Sequence, residues 1–202
     1  MLKLVDRIMN LLQNRYVIIV SDFAEIVDAD RKLVANIFHY LYKKGKIQRI
    51  ARGIYTLKEI MRDPMVISTA IYYPSYISLS TALSIQGIID QIVPTIEVAT
   101  SENFPPTRKK IQINTTQIIF HRIPPKLMFG YRYRESKTIR GYYYYIAKPE
   151  KAILDYVYKR GDPEDIFTVN WDNLNKKLLK KYAQEYPPRI KKWLKNNLHI
   201  NL

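Results

Sequence analysis

Cysteine is absent from all 202 residues, which removes disulfides, thiolate metal sites and cysteine nucleophiles together. The short signatures of nucleotide and acyl chemistry are missing too: there is no Walker loop, no dinucleotide fingerprint and no G-x-S-x-G elbow. Histidine is scarce, and His39, His121 and His199 lie far apart, with no H-x-x-x-H spacing and no carboxylate cluster at metal-ligand spacing. No apolar run approaches the roughly 20 residues needed to span a bilayer. The opening "MLKLVDRIMNLLQNR" carries acidic and polar residues within its apolar stretch and lacks a small-residue cleavage site, so it reads as an amphipathic helix rather than a signal peptide. A cytoplasmic location is the expectation.

Acidic residues are also in deficit. Against 33 Lys+Arg stand 18 Asp+Glu, giving a formal net charge of +15, while 47% of the chain is hydrophobic. Such a chain can bury a core, so one or two globular domains are expected rather than disorder. The predicted pI near 9.8 favours polyanionic partners, because cations set against phosphates release condensed counterions. Nucleic acid is the first suspect; an anionic membrane is the other. Residues 1–60, 61–147 and 148–202 each carry the same excess of five cations, so the charge is not a basic tail. Abundant Ile, Lys and Tyr without Cys points to a hot-growing, archaeal source.

The first sixty residues supply the clearest pattern. Leu4, Val5, Ile8, Leu11 and Leu12 recur at helical spacing and predict a first helix ending at Asn14. After "YVIIV", Asp22 and Glu25 stand three apart as in a capping box, opening a short helix through Phe23 and Ile26. A third helix runs from about Asp30 to Gly45. On a helical wheel its core side holds Leu33, Val34, Ile37, Phe38 and Leu41, and its opposite face carries Lys32, Ala35, Asn36, His39 and Lys43. "KIQRI" and "GIYTL" follow as two strands around Ala51, Arg52 and Gly53, where glycine supplies the positive φ of a tight turn. Three helices and a hairpin predict a winged helix-turn-helix. In such folds the second helix of the motif enters the major groove while the wing lies along the backbone. The expected DNA-binding residues are therefore Arg31, Lys32, Asn36, His39, Lys43, Lys46, Arg49 and Arg52. Arginine suits this role because its planar fork of donors matches phosphate oxygens and a guanine edge.

Beyond residue 60, "MRDPMVISTAIYYPSY" reads as a connection, with a domain boundary near 60 between a DNA-binding part (1–60) and a second part (61–202). "SLSTALSIQG" predicts a helix with a serine near its start and Gly87 at its end. "TIEVAT", "KKIQI", "TQIIFHRI" and "GYYYYIA" predict strands. Pro149 opens the helix "PEKAILDYVYK", and two basic helices are expected within 171–182 and 187–198. Strands followed by helices predict an α+β fold with a mixed or antiparallel sheet and C-terminal helices. Tyr142 to Tyr145 can stack on bases, although consecutive tyrosines in a strand ordinarily divide between core and rim.

The succession "RIARGIYTL", "YISLSTALSIQGIID", "TIEVAT", "IIFHRIPPKLMFGY" and "IAKPEKAILDYVY" resembles the AbiEi-like antitoxin and transcriptional-regulator family over approximately residues 5 to 160. The resemblance implies a winged helix that binds and represses the promoter of its own operon. It also implies a second domain that counteracts a nucleotidyltransferase-like toxin in the type IV manner. By motif, the family's wing falls on Arg49, Arg52, Gly53 and Tyr55, and its "PEKAILD" segment on Pro149 to Asp155; Glu150 and Lys151 are expected to be a helix start on the surface. Past residue 160 the chain departs from the family, and "NKKLLKKYAQEYPPRIKKWLKNN" offers either a second polyanion surface or solvated helices.

The function expected is therefore double-stranded DNA binding, with no enzymatic activity, cofactor or metal, and with a homodimer on DNA left open. Two alternatives stand beside it: an RNA or single-strand binder using the tyrosine strand, and a metal-dependent nucleic-acid-processing enzyme using Glu97 and a distant lysine. The acidic group Asp162, Glu164 and Asp165 is read as a turn and helix cap.

Overall fold

A computed structural model describes residues 2–198; His199 lies outside the described residues. The chain opens with helix α1 (Leu2–Arg15), strand β1 (Val17–Ile19), helix α2 (Val20–Ile26) and helix α3 (Arg31–Lys43). The hairpin β2 (Gln48–Ala51) and β3 (Ile54–Thr56) follows. "YVIIV", unassigned from its short apolar run, supplies a strand: β1 pairs antiparallel with β3, making a three-stranded sheet of order β1-β3-β2. Asp22 and Glu25 do not form the expected capping box. Helix α2 begins at Val20, two residues earlier, with Ile19 at its cap position and no side-chain cap. Asp30 is the true cap of the next helix, its carboxylate accepting from the Leu33 amide at 2.8 Å.

Helix α3 packs Val34, Ile37, Phe38 and Leu41 inward, with Phe38 edge-on to Phe23 at 5.6 Å and tilted against Tyr55 at 5.1 Å. Leu33, expected on that side, is 47% exposed. It sits one step of about 100° from Val34, outside the arc the neighbouring elements cover.

The remainder is built on a six-stranded sheet of order β6-β7-β5-β4-β9-β8. Its strands are β4 (Ser75–Ile77), β5 (Thr95–Thr100), β6 (Lys110–Ile113), β7 (Thr116–Arg122), β8 (Tyr131–Glu135) and β9 (Tyr143–Ala147). The β5–β7 and β4–β9 pairs are parallel and the other pairs antiparallel, so the sheet is mixed and the fold α+β. "MRDPMVISTAIYYPSY" is not a bare connection: it holds helix α4 (Pro64–Ala70), capped by Asp63, and the central strand β4. Helix α5 (Leu79–Ile85) carries no serine cap, because the Ser78 hydroxyl donates to Asp155 instead. Helices α6 (Pro149–Arg160), α7 (Lys176–Ala183) and α8 (Pro188–Leu198) complete the chain. The basic helices pack through Leu179, Ala183, Ile190 and Leu194 and leave Lys176, Lys177, Lys180, Lys192 and Lys195 in solvent.

Lys151 contradicts its surface assignment outright. It is fully buried beside Asp155, with its ammonium 2.6 Å from the carboxylate, bonded to the Tyr186 hydroxyl, and within 4.9 Å of the Phe129 and Tyr186 ring centres. Asp155 also accepts from Tyr76 and Ser78. Burial pushes the Lys151 ammonium down, and Asp155 pulls it back up. Glu150 is buried too and accepts from the Asn175 amide. The helical period of α6 places Lys151 and Asp155 one turn apart on its inner side, where each can only exist as the other's partner.

Candidate nucleic-acid interface

All the side chains expected to touch DNA are exposed: Arg31, Lys32, Asn36, His39 and Lys43 on α3, Lys46 just past it, and Arg49 and Arg52 on the hairpin. The hairpin is anchored at its base and lies beside strand β6 of the large sheet, with its arginine side chains exposed. Ile50 and Ile54 point into the core while Arg49 faces outward. The pairing slips between Arg49 and Ala51, a bulge that re-aims the chain just before the turn. Gly53 takes φ +75°, a conformation that L side chains rarely adopt, and its carbonyl accepts from the Val20 amide at 2.9 Å. The tip is thereby fixed to the first turn of α2.

Between α3 and this hairpin lies a concavity of about 660 Å³. Arg31, Lys32 and His39 line one wall and Arg49 and Arg52 the other, with Ala35 as a small residue between them. Asn36, Lys43 and Lys46 are exposed outside it, further round and along the helix. The acid in the lining, Asp30, is already engaged in capping α3. One cation that sequence reasoning missed joins the set. Arg108, from the short 3₁₀ turn Pro106–Arg108 before β6, lines the same concavity and reaches the Arg52 carbonyl at 3.4 Å. It lies in a loop with no periodicity to mark it, so only tertiary contact reveals it. The concavity thus gathers five permanent cations around one groove.

Glu97, the carboxylate of the enzymatic alternative, is buried in strand β5. It accepts from the Ser80 amide at 3.2 Å and from its hydroxyl, sits 3.0 Å from His121 Nε2, and is ion-paired to Arg160. Burial alone would raise its carboxyl, but bonds from His121 and Ser80 and the charge of Arg160 hold it below its ordinary value. Among the described residues no group of three or more His, Cys, Asp or Glu could hold a metal ion. Asp162 and Glu164 act as the turn reading expects, Asp162 accepting from the Glu164 amide and from the Trp193 indole, and Glu164 from the Trp171 indole. Among the described residues no helix is long and apolar enough to cross a membrane.

Of the tyrosine run, Tyr144 is buried and Tyr142, Tyr143 and Tyr145 are half-buried, a division between core and rim. Neither protein-family models nor the curated proteins give a match to this sequence.

Proposed function

We propose that the chain is a DNA-binding transcriptional regulator whose residues 1–60 form a winged helix, with α3 as the recognition helix and β2–β3 as the wing. The observation that carries this reading is the concavity between α3 and the hairpin, walled by Arg31, Lys32, Arg49, Arg52 and Arg108 and free of any uncommitted acid. A duplex presents phosphates on both sides of its groove, and a helix flanked by a cationic finger meets both. Asn36, with His39 and Lys32, occupies the side of α3 turned away from the core and so offers donors and acceptors for base edges. The full engagement of Glu97 supports a binder rather than an enzyme.

Residues 61–202 then serve as a regulatory domain. The sequence resemblance supports an antitoxin acting in the cytoplasm, repressing its own operon and opposing a nucleotidyltransferase-like toxin.

Fluorescence anisotropy with a duplex carrying the gene's own upstream sequence, against a scrambled duplex, tests the DNA-binding reading. Asn36→Ala is expected to lower the preference for the specific duplex, by about 1–3 kcal/mol if it reads a base. Arg52→Ala is expected to weaken both duplexes alike. Unchanged affinity in both variants would overturn the placement of helix and wing.

A further inference from the structure

A second concavity, of about 720 Å³, lies where α1, β1 and α2 meet the edge of the large sheet, and its walls are tyrosine. Tyr133 and Tyr143 stack with ring centres 4.8 Å apart and planes within 6°, and Tyr145 closes on Tyr133 at 4.9 Å. The pairing of β8 with β9 places Tyr133 opposite Tyr145, so these rings share one face of two strands. That face is not consumed by the core: Tyr133 is 55% exposed and Tyr73, in the same wall, 75%. Tyr16 lines the cleft beside them, its hydroxyl next to that of Tyr133.

The polar lining is as selective as the rings. Arg15 and Arg108 supply fixed positive charge. Asp22 and Glu102 supply acceptors for hydroxyl or amino donors. Asn14 and Asn103 supply carboxamides able to read both kinds of group. The Tyr72 hydroxyl, in a side chain 7% exposed that also lines the cleft, faces the Arg108 guanidinium and so helps to hold that cation at the cleft wall.

We propose that this cleft is a binding site for a free nucleoside phosphate. Its base stacks on the Tyr133, Tyr143 and Tyr145 surface, its hydroxyl or amino donors meet Asp22 and Glu102, and its phosphate meets Arg15 and Arg108. A simple aromatic acid would leave the two carboxylates facing nothing, and a bare phosphate would leave the rings unused. A single strand needs aromatics interleaved with a continuous cationic track, which two arginines do not make. The volume falls within the roughly 300–1,000 Å³ of small-molecule sites. Arg108 also lines the cleft beside α3 and bonds the Arg52 carbonyl, so an occupant draws on the side chain that holds the hairpin tip.

Isothermal titration calorimetry of the full chain with ATP, adenosine, sodium triphosphate and a short oligodeoxyadenylate tests the site without any duplex, so its outcome is independent of the DNA-binding reading. ATP is expected to bind, with adenosine and triphosphate each at least about tenfold weaker. Tyr133→Leu and Arg15→Ala, both at exposed positions and each confirmed as folded by circular dichroism, are each expected to weaken ATP about tenfold, the lower range for losing one stacked base or one charged hydrogen bond. Absence of ATP binding would overturn the proposal. So would triphosphate binding as tightly as ATP, oligomer binding without ATP binding, or ATP affinity unmoved by both substitutions.

Discussion

Among the described residues Lys151 is the one cation withdrawn from solvent, and its neighbours set the cost of removing it. Asp155 receives bonds from Lys151, Tyr76, Ser78 and Tyr186, while Lys151 donates to Asp155 and Tyr186 and lies over three aromatic rings. Lys151→Met keeps the stem and removes the charge, leaving a buried carboxylate without its counter-ion. The expected loss is about 3–5 kcal/mol in urea unfolding. Adding Asp155→Leu removes the stranded charge and is expected to recover part of that loss, although Tyr76 and Tyr186 then lose their acceptor. A double variant less stable than Lys151→Met alone would mean that the hydroxyl bonds, and not the ion pair, dominate this cluster. Nothing in "PEKAILD" announces the burial. The letters Lys and Asp four apart look the same on a solvated helix face, and only the packing of Tyr76 and Tyr186 from distant elements distinguishes the two.

At the scale of elements, Glu97 ties strand β5 to α5 through Ser80, to β7 through His121 and to α6 through Arg160. Because these partners hold its carboxyl below the ordinary value of 4.5, the sign of the pH dependence follows. Above that value the group is charged in folded and unfolded chains alike, and its full stabilisation is present. As pH falls below it the unfolded chain takes up the proton first, and stability drains away until the folded carboxyl protonates as well. Urea unfolding between about pH 6 and pH 3 is expected to show a steeper decline for the wild type than for Glu97→Gln, which starts less stable and titrates nothing at this position. Equal slopes would show that other carboxylates carry the acid response. How legible an element was depended on whether its own residues carry a period. Helix α3 and the hairpin did, through Val34, Ile37, Phe38 and Leu41 and through Ile50 and Ile54 against outward arginines. Strand β4 did not: three residues, all buried, offer no alternation to read, and α4 hides between two prolines with mostly buried residues. Strand β8 is absent from the expected strands, because its alternation sets tyrosine against arginine rather than apolar against polar.

For the whole molecule, the question is whether a net charge of +15 acts as a diffuse field or through one surface. The excess is even along the chain, yet folding concentrates part of it: Arg108, fifty-six residues from Arg52, joins Arg31, Lys32, Arg49 and Arg52 around one groove. Lys176, Lys177, Lys180, Lys192 and Lys195 of α7 and α8 stand instead exposed to solvent, where each is screened within about 8 Å at physiological salt. If the groove seats the duplex, each neutralised phosphate contributes about −0.9 to the slope of log affinity against log salt. Five cations then give a slope of about −4 to −5, a loss of several hundredfold between 50 and 200 mM salt. Replacing Arg49 or Arg52 with alanine is expected to reduce the slope by about one each, whereas Lys176→Ala and Lys180→Ala leave it in place. The converse result, with the helix lysines changing the slope and the hairpin arginines not, would move the interface to the C-terminal helices and make the groove beside α3 a bystander.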